Sequence, residues 1–162
     1  MKRASVSLRT RAANPGKLRD MFSAWRKDTE VVARKTSVAA AEEIAEEAKS
    51  VIDTQAYSWV PLTARYLAQK IEDGLDQRTL IATGFYRDNI CAYTIRGKVY
   101  VGVKPGVIHE PSGLPLSMLA RVHEYGTSTI PPRPLWRPLL SSFLRRSSEF
   151  NRIYKRAKNK KK

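Results

Sequence analysis

Tyr86-Arg87-Asp88-Asn89-Ile90-Cys91-Ala92-Tyr93-Thr94-Ile95-Arg96-Gly97-Lys98-Val99-Tyr100-Val101-Gly102-Val103 is the stretch that decides the fold. Two runs rich in aromatic and β-branched residues flank Arg96-Gly97. A two-residue step ending in glycine between such runs predicts a β-hairpin over 86–103. Cys91, Tyr93 and Ile95 alternate along the first run, and Val99, Val101 and Val103 along the second. Taken together they predict one apolar face that needs a helix to cover it. Cys91 is then a small buried hydrophobe.

Helical patterns stand on both sides of the hairpin. No Gly or Pro interrupts Lys17 to Asp53, which allows one long helix or two joined helices. Leu18, Met21, Phe22 and Trp25 share one stripe, and Val38, Ala41, Ile44, Ala48 and Val51 another. Downstream, Trp136, Leu140, Phe143, Phe150 and Tyr154 recur on one face, with Ser147 in the remaining slot and Pro134 or Pro138 in the first turn. Shorter units lie between. Thr63 caps a helix ended by Gly74, Pro-rich 104–116 is an extended loop, and Ser117 caps a segment running to Tyr125. The order helix, hairpin, helix predicts an α+β fold, with a long N-terminal helix and a C-terminal amphipathic helix on a small antiparallel sheet. Residues 17–154 form its single domain, between an irregular basic arm at 1–16, broken by Asn14-Pro15-Gly16, and a basic tail at 155–162.

Thirty Lys and Arg against fifteen Asp and Glu in 162 residues leave a net charge of +15, unevenly spread. Residues 1–36 carry +7 and 145–162 carry +8, whereas 37–90 carry −4. The tail contains Lys155, Arg156, Lys158, Lys160, Lys161 and Lys162. Such a block stays solvated unless nucleic acid, an acidic protein face or a neighbouring copy neutralises it. Glu42, Glu43, Glu46 and Glu47 form an acidic helix face. That face is read either as an ordinary solvated surface or as a docking face for the basic ends of another subunit. The lone Cys91 excludes an intrachain disulfide, and no apolar run approaches the ~18 residues that span a bilayer. The N-terminus is followed by no hydrophobic stretch, so no secretory signal and no membrane partner are expected.

Chemistry-bearing motifs are sparse. His109-Glu110 and His123-Glu124 do not match a zinc-ligand spacing, no phosphate-cradling Gly-rich loop is present, and no Ser sits in a nucleophile elbow. The expectation is a non-enzymatic protein with no cofactor, no metal and no catalytic residues. A basic nucleic-acid-binding protein is the alternative, although the aromatics sit at core spacings rather than among the Lys and Arg.

His123-Glu124-Tyr125-Gly126-Thr127 followed by Pro132-Arg133-Pro134-Leu135-Trp136-Arg137-Pro138 resembles the Glu-Tyr-Gly-Thr…Ala-Arg-Pro-Phe…Pro pattern of the tailed-bacteriophage tail-completion, or head–tail joining, family. Trp59, Pro61 and Leu62 resemble that family's Trp-x-Pro-Leu. Leu80, Thr83, Gly84 and Asn89-Ile90 resemble its Leu-x-x-Thr-Gly-x-Leu-x-x-Ser-Ile, and Val101-Gly102 its second-strand Val-Gly. The resemblance spans roughly 55–140 and departs at Pro132, at Phe85-Tyr86 and in the proline-rich loop. It implies a structural virion protein of the neck, made in the host cytoplasm. Such a protein forms a ring, commonly of six copies, between the head connector or adaptor and the tail tube or terminator. It surrounds the DNA channel with at most nonspecific DNA contact. Trp59, Pro61, Gly84, Glu124, Tyr125, Gly126, Arg133, Pro134 and Trp136 are its expected structural and interface residues. Arg133, held between two prolines, is expected to grip carbonyls or a carboxylate at a helix end or subunit boundary; the alternative is that Pro132 to Pro138 merely set the entry angle of the last helix. The basic ends, outside the resemblance, are expected to wrap a neighbour or the adjoining ring.

Overall fold

The computed structural model describes residues 15–159. The N-terminal helix α1 runs unbroken from Pro15 to Thr54, 40 residues and therefore about 60 Å long. Pro15 and Gly16 begin this helix rather than breaking the chain; at the first helical position the amide hydrogen that proline lacks has no helical partner anyway. The rest of the expected arm, 1–14, lies outside the described residues. At its other end α1 stops at Gln55, which takes φ +52 without being glycine. Ala56 N–H bonds back to the Val51 carbonyl, while the Gln55 amide exchanges hydrogen bonds with Thr79.

After α1 come α2 (Ala64–Glu72), a single helical turn α3 (Phe85–Asp88), and the hairpin strands β1 (Ile90–Ile95) and β2 (Lys98–Val103). A two-residue hairpin, β3 (Ile108–His109) with β4 (Leu114–Pro115), interrupts the expected loop 104–116. Helices α4 (Leu116–Tyr125), α5 (Trp136–Arg145) and α6 (Ser147–Asn159) complete the described chain. Thr63 caps α2 as expected, its hydroxyl accepting from Tyr66 N–H. Ser117 does not cap α4, since the helix starts one residue earlier and Pro115 holds the cap position.

The main hairpin forms with Arg96 and Gly97 both at positive φ, the requirement of a type I′ turn. Tyr86 to Asp88, expected in the first strand, belong to α3. The expected apolar face is corrected by the register. Ile95 pairs with Lys98 and Ile90 with Val103, so odd-numbered residues of β1 share a face with even-numbered residues of β2. Ile90, Ala92, Val101 and Val103 therefore face the core, and Cys91, Tyr93 and Ile95 face away from Val99, Val101 and Val103. Cys91 is half-buried on this outer face, not a core residue. There the Tyr93 and Tyr100 rings stack at 5.7 Å.

The core gathers Ile44, Ala48 and Ile52 of α1, Ile90 and Val103 of the hairpin, Leu116 of α4, Leu139 and Phe143 of α5 and Ile153 of α6. The expected single C-terminal helix is two helices, separated at Arg146 with ψ near 65°. The break rotates the buried face. Leu139, Phe143, Ile153 and Ala157 point inward, while Leu140, Phe150 and Tyr154 are exposed. Helix α6 also absorbs Lys155, Arg156 and Lys158 of the expected solvated tail and buries Ala157; Lys160, Lys161 and Lys162 lie outside the described residues. None of the described helices is long and apolar enough to cross a membrane.

Candidate functional site

Three stretches far apart in sequence meet at one corner. The Trp59 indole Nε1 donates to the Pro134 carbonyl at 2.8 Å. Arg133 is buried, and its guanidinium returns the contact by donating from Nε to the Val60 carbonyl at 3.0 Å and from Nη2 to the Pro61 carbonyl at 3.2 Å. The fork thus grips carbonyls, as its flanking prolines suggested, and the 59–61 and 133–134 segments are strapped together. Arg133 N–H donates to the His123 carbonyl at 2.7 Å, tying the strap to α4.

Glu124 locks the next joint. The residue is 5% exposed, and its carboxylate accepts from the backbone N–H of Leu135, Trp136 and Arg137 at 2.8–2.9 Å. These are unsatisfied donors at the start of α5, where a negative charge also meets the positive end of the helix dipole. Arg137 adds Nε to the same carboxylate at 3.1 Å and Nη2 to the Glu124 carbonyl. Burial pushes the Glu124 carboxyl up, but the three N–H groups and Arg137 outweigh it and hold it below its ordinary value. Gly126, at φ +73, turns the chain out of α4. A Cβ there would stand 2.7 Å from the Ile130 carbonyl oxygen and 2.9 Å from Pro132 nitrogen, so the close backbone approach requires glycine. Tyr125 faces outward with the Arg137 guanidinium 4.9 Å above its ring.

Trp136 is half-buried and packs against the core cluster that includes Tyr86. Burial pushes the Tyr86 phenol up to about 12. Gly84, at φ +86, caps α3 but stands outside the strap. Its neighbours Thr83 and Phe85 line a cavity of about 260 Å³ that also meets Lys70, Tyr86, His123 and Arg133. Two of these groups had no local sequence signal. Lys70 is buried, its ammonium donating to the Arg78 and Ile81 carbonyls. His123 Nδ1 is buried without a hydrogen-bond partner, and burial first, then the charge of Arg133, lowers the ring to about 4. Among the described residues no group of three His, Cys, Asp or Glu side chains is placed to hold a metal ion.

Two carboxylates of the acidic face of α1, Glu43 and Glu47, are engaged by α6. Arg146 pairs with Glu47 at 2.8 Å, Arg152 with Glu43 at 2.9 Å, and Arg156 approaches Glu43 at 3.8 Å. For Glu43 and Glu47 the cations thus come from α6 of the same chain, and Glu46 pairs with Lys49 at 2.8 Å. The site residues expected from sequence thus divide. Trp59, Pro61, Glu124, Gly126, Arg133 and Pro134 converge on the strap; Tyr125 and Trp136 flank it; and Gly84 and the basic residues of α6 sit elsewhere. No protein-family model, curated protein or solved structure matches this chain.

Proposed function

We propose that this chain is a structural subunit of a tailed-phage neck, a head–tail joining protein that forms a ring between head connector and tail around the DNA channel. The supporting observation is a convergence. Residues singled out by resemblance, from segments up to 75 positions apart, bond directly to one another and build one rigid corner, with Tyr125 and Arg137 on its outer surface. Arg133 and Glu124 make hydrogen bonds with backbone groups of the same chain, as parts of a scaffold do. The partners on this reading are copies of the chain itself, a connector or adaptor ring, and a tail tube or terminator.

The test is genetic. A phage carrying this gene with an early stop codon should accumulate DNA-filled heads and separate tails, and purified protein added to the lysate should restore joined particles. Complete virions without the protein reject the reading. Nucleic-acid binding, the alternative, is separated by salt. Duplex binding that persists above ~200 mM salt supports it, whereas binding confined to low salt is the nonspecific behaviour of a strongly cationic protein.

A further inference from the structure

The first half of α1 is the least covered part of the described chain: every described side chain from Arg19 to Val31 is exposed. That includes Met21, Phe22 and Trp25, the last 68% exposed. Trp25 stands seven residues before the buried Val32 and eleven before the buried Thr36, so the exposed stripe continues the line of buried residues along α1. Single exposed apolar side chains need no explanation, but a Met-Phe-Trp cluster on one helix face marks a contact surface.

Beside it lies an open groove of about 1570 Å³ between α1 and α6. Val38, Ala39, Phe143, Ile153 and Ala157 give it apolar lining, and Glu42 and Glu46 stand along its α1 side with Arg34 and Lys35. Glu46 also pairs with Lys49, while Arg152 and Arg156 face Glu43. The arm's apolar stripe matches the apolar lining, and its arginines match the exposed carboxylates Glu42 and Glu46. Arg19 and Arg26 lie seven residues apart on the flank of the Phe22–Trp25 stripe, about 10 Å along the axis. The arm cannot reach its own groove, because both belong to one continuous helix that would have to fold back on itself.

We propose that the exposed stripe of α1 seats in the α1–α6 groove of a second copy of this chain. Met21, Phe22 and Trp25 enter the apolar lining, while Arg19 and Arg26 meet Glu42 and Glu46. The two surfaces differ, so the contact is heterologous. Each copy offers one arm and one groove, and repetition gives a closed ring or an open row. The contact is a property of the chain whatever it joins, so its failure and the failure of the virion reading are separately visible.

The experiment is sedimentation velocity on the full chain across a concentration series. The arm variant is Phe22→Glu/Trp25→Glu and the groove variant is Glu42→Arg/Glu46→Arg. All four positions are exposed, so both variants should keep wild-type helicity by circular dichroism; should the groove variant unfold, the arm variant decides alone. Wild-type protein is expected to form species larger than dimers. Either variant alone should be monomeric, with an apparent Kd raised about a hundredfold or more. An equimolar mixture of the two should give one-to-one dimers, since it retains one intact arm and one intact groove. A wild-type chain monomeric at every concentration, an arm variant that assembles normally, a groove variant that assembles normally, or a mixture of folded variants without dimers each overturns the proposal.

Discussion

Replacing Glu124 by Gln tests the joint between α4 and α5 most directly. The substitution keeps shape and removes charge. A carboxylate can accept from all three backbone N–H groups of Leu135, Trp136 and Arg137. An amide turns an N–H₂ towards donors and leaves at least one of them unsatisfied. Hydrogen bonds to a charged group contribute about 1.5–3 kcal/mol each and an orphaned buried donor costs about 1–3 kcal/mol. Part of this is recovered because Arg137 reaches solvent, so a net loss of about 2–3 kcal/mol is expected in urea unfolding. The pH dependence gives the sharper reading. The folded carboxyl is held below its ordinary value of 4.5, so its stabilisation is complete above that value and is lost as pH falls through the folded pKa. The gap between wild type and Glu124→Gln should therefore be widest at neutral pH and narrow in acid, other carboxylates cancelling in the difference. A gap below about 0.5 kcal/mol at neutral pH, or one that stays constant down to about pH 3, refutes the assignment.

Three further outcomes follow from the same corner. Gly126→Ala should destabilise by about 2 kcal/mol or more, because φ +73 with ψ −176 is a conformation nearly confined to glycine and the new methyl meets backbone atoms; a melting temperature within about a degree of wild type would contradict this. Arg133→Lys should cost about 1.5–3 kcal/mol, since an ammonium cannot reproduce the fork to the Val60 and Pro61 carbonyls. An Arg133→Lys chain as stable as wild type in urea would show that the strap holds nothing. His123 should remain neutral in its NMR titration until about pH 4. Its depressed folded value means stability is full above 6.5 and declines between 6.5 and about 4; His123→Phe should flatten that part of the profile, and a ring titrating near 6.5 would refute its burial.

The architecture was legible where the signal is local. Arg96-Gly97 predicted the hairpin because a two-residue I′ turn needs positive φ at both positions, and Thr63 announced α2 because capping acts over three residues. The faces were misread where they depend on pairing. Alternation says which residues share a face within one strand, but only the register relates one strand to the other. The C-terminal stripe failed for a similar reason. Nothing in Leu144-Arg145-Arg146-Ser147 forbids a continuous helix, and the break at Arg146 turns α6 so that Ile153 is buried and Phe150 and Tyr154 are exposed, while within α5 Leu139 rather than Leu140 shares the buried face with Phe143. At the strap, the resemblance picked the residues and the flanking prolines hinted at Arg133, yet the role of Glu124 was invisible. Its partners begin eleven residues downstream, across a turn whose path no local rule gives.

The pairing of α1 with α6 also has a temporal side. Glu43 and Glu47 find their cations 109 and 99 positions later, among the last described residues to leave a ribosome. At about 5–20 residues per second, the N-terminal helix emerges many seconds before its cover exists. During that interval the nascent chain displays Val32, Ala40 and Ile44 bare, and a holdase able to shield an amphipathic helix has its opportunity to bind there.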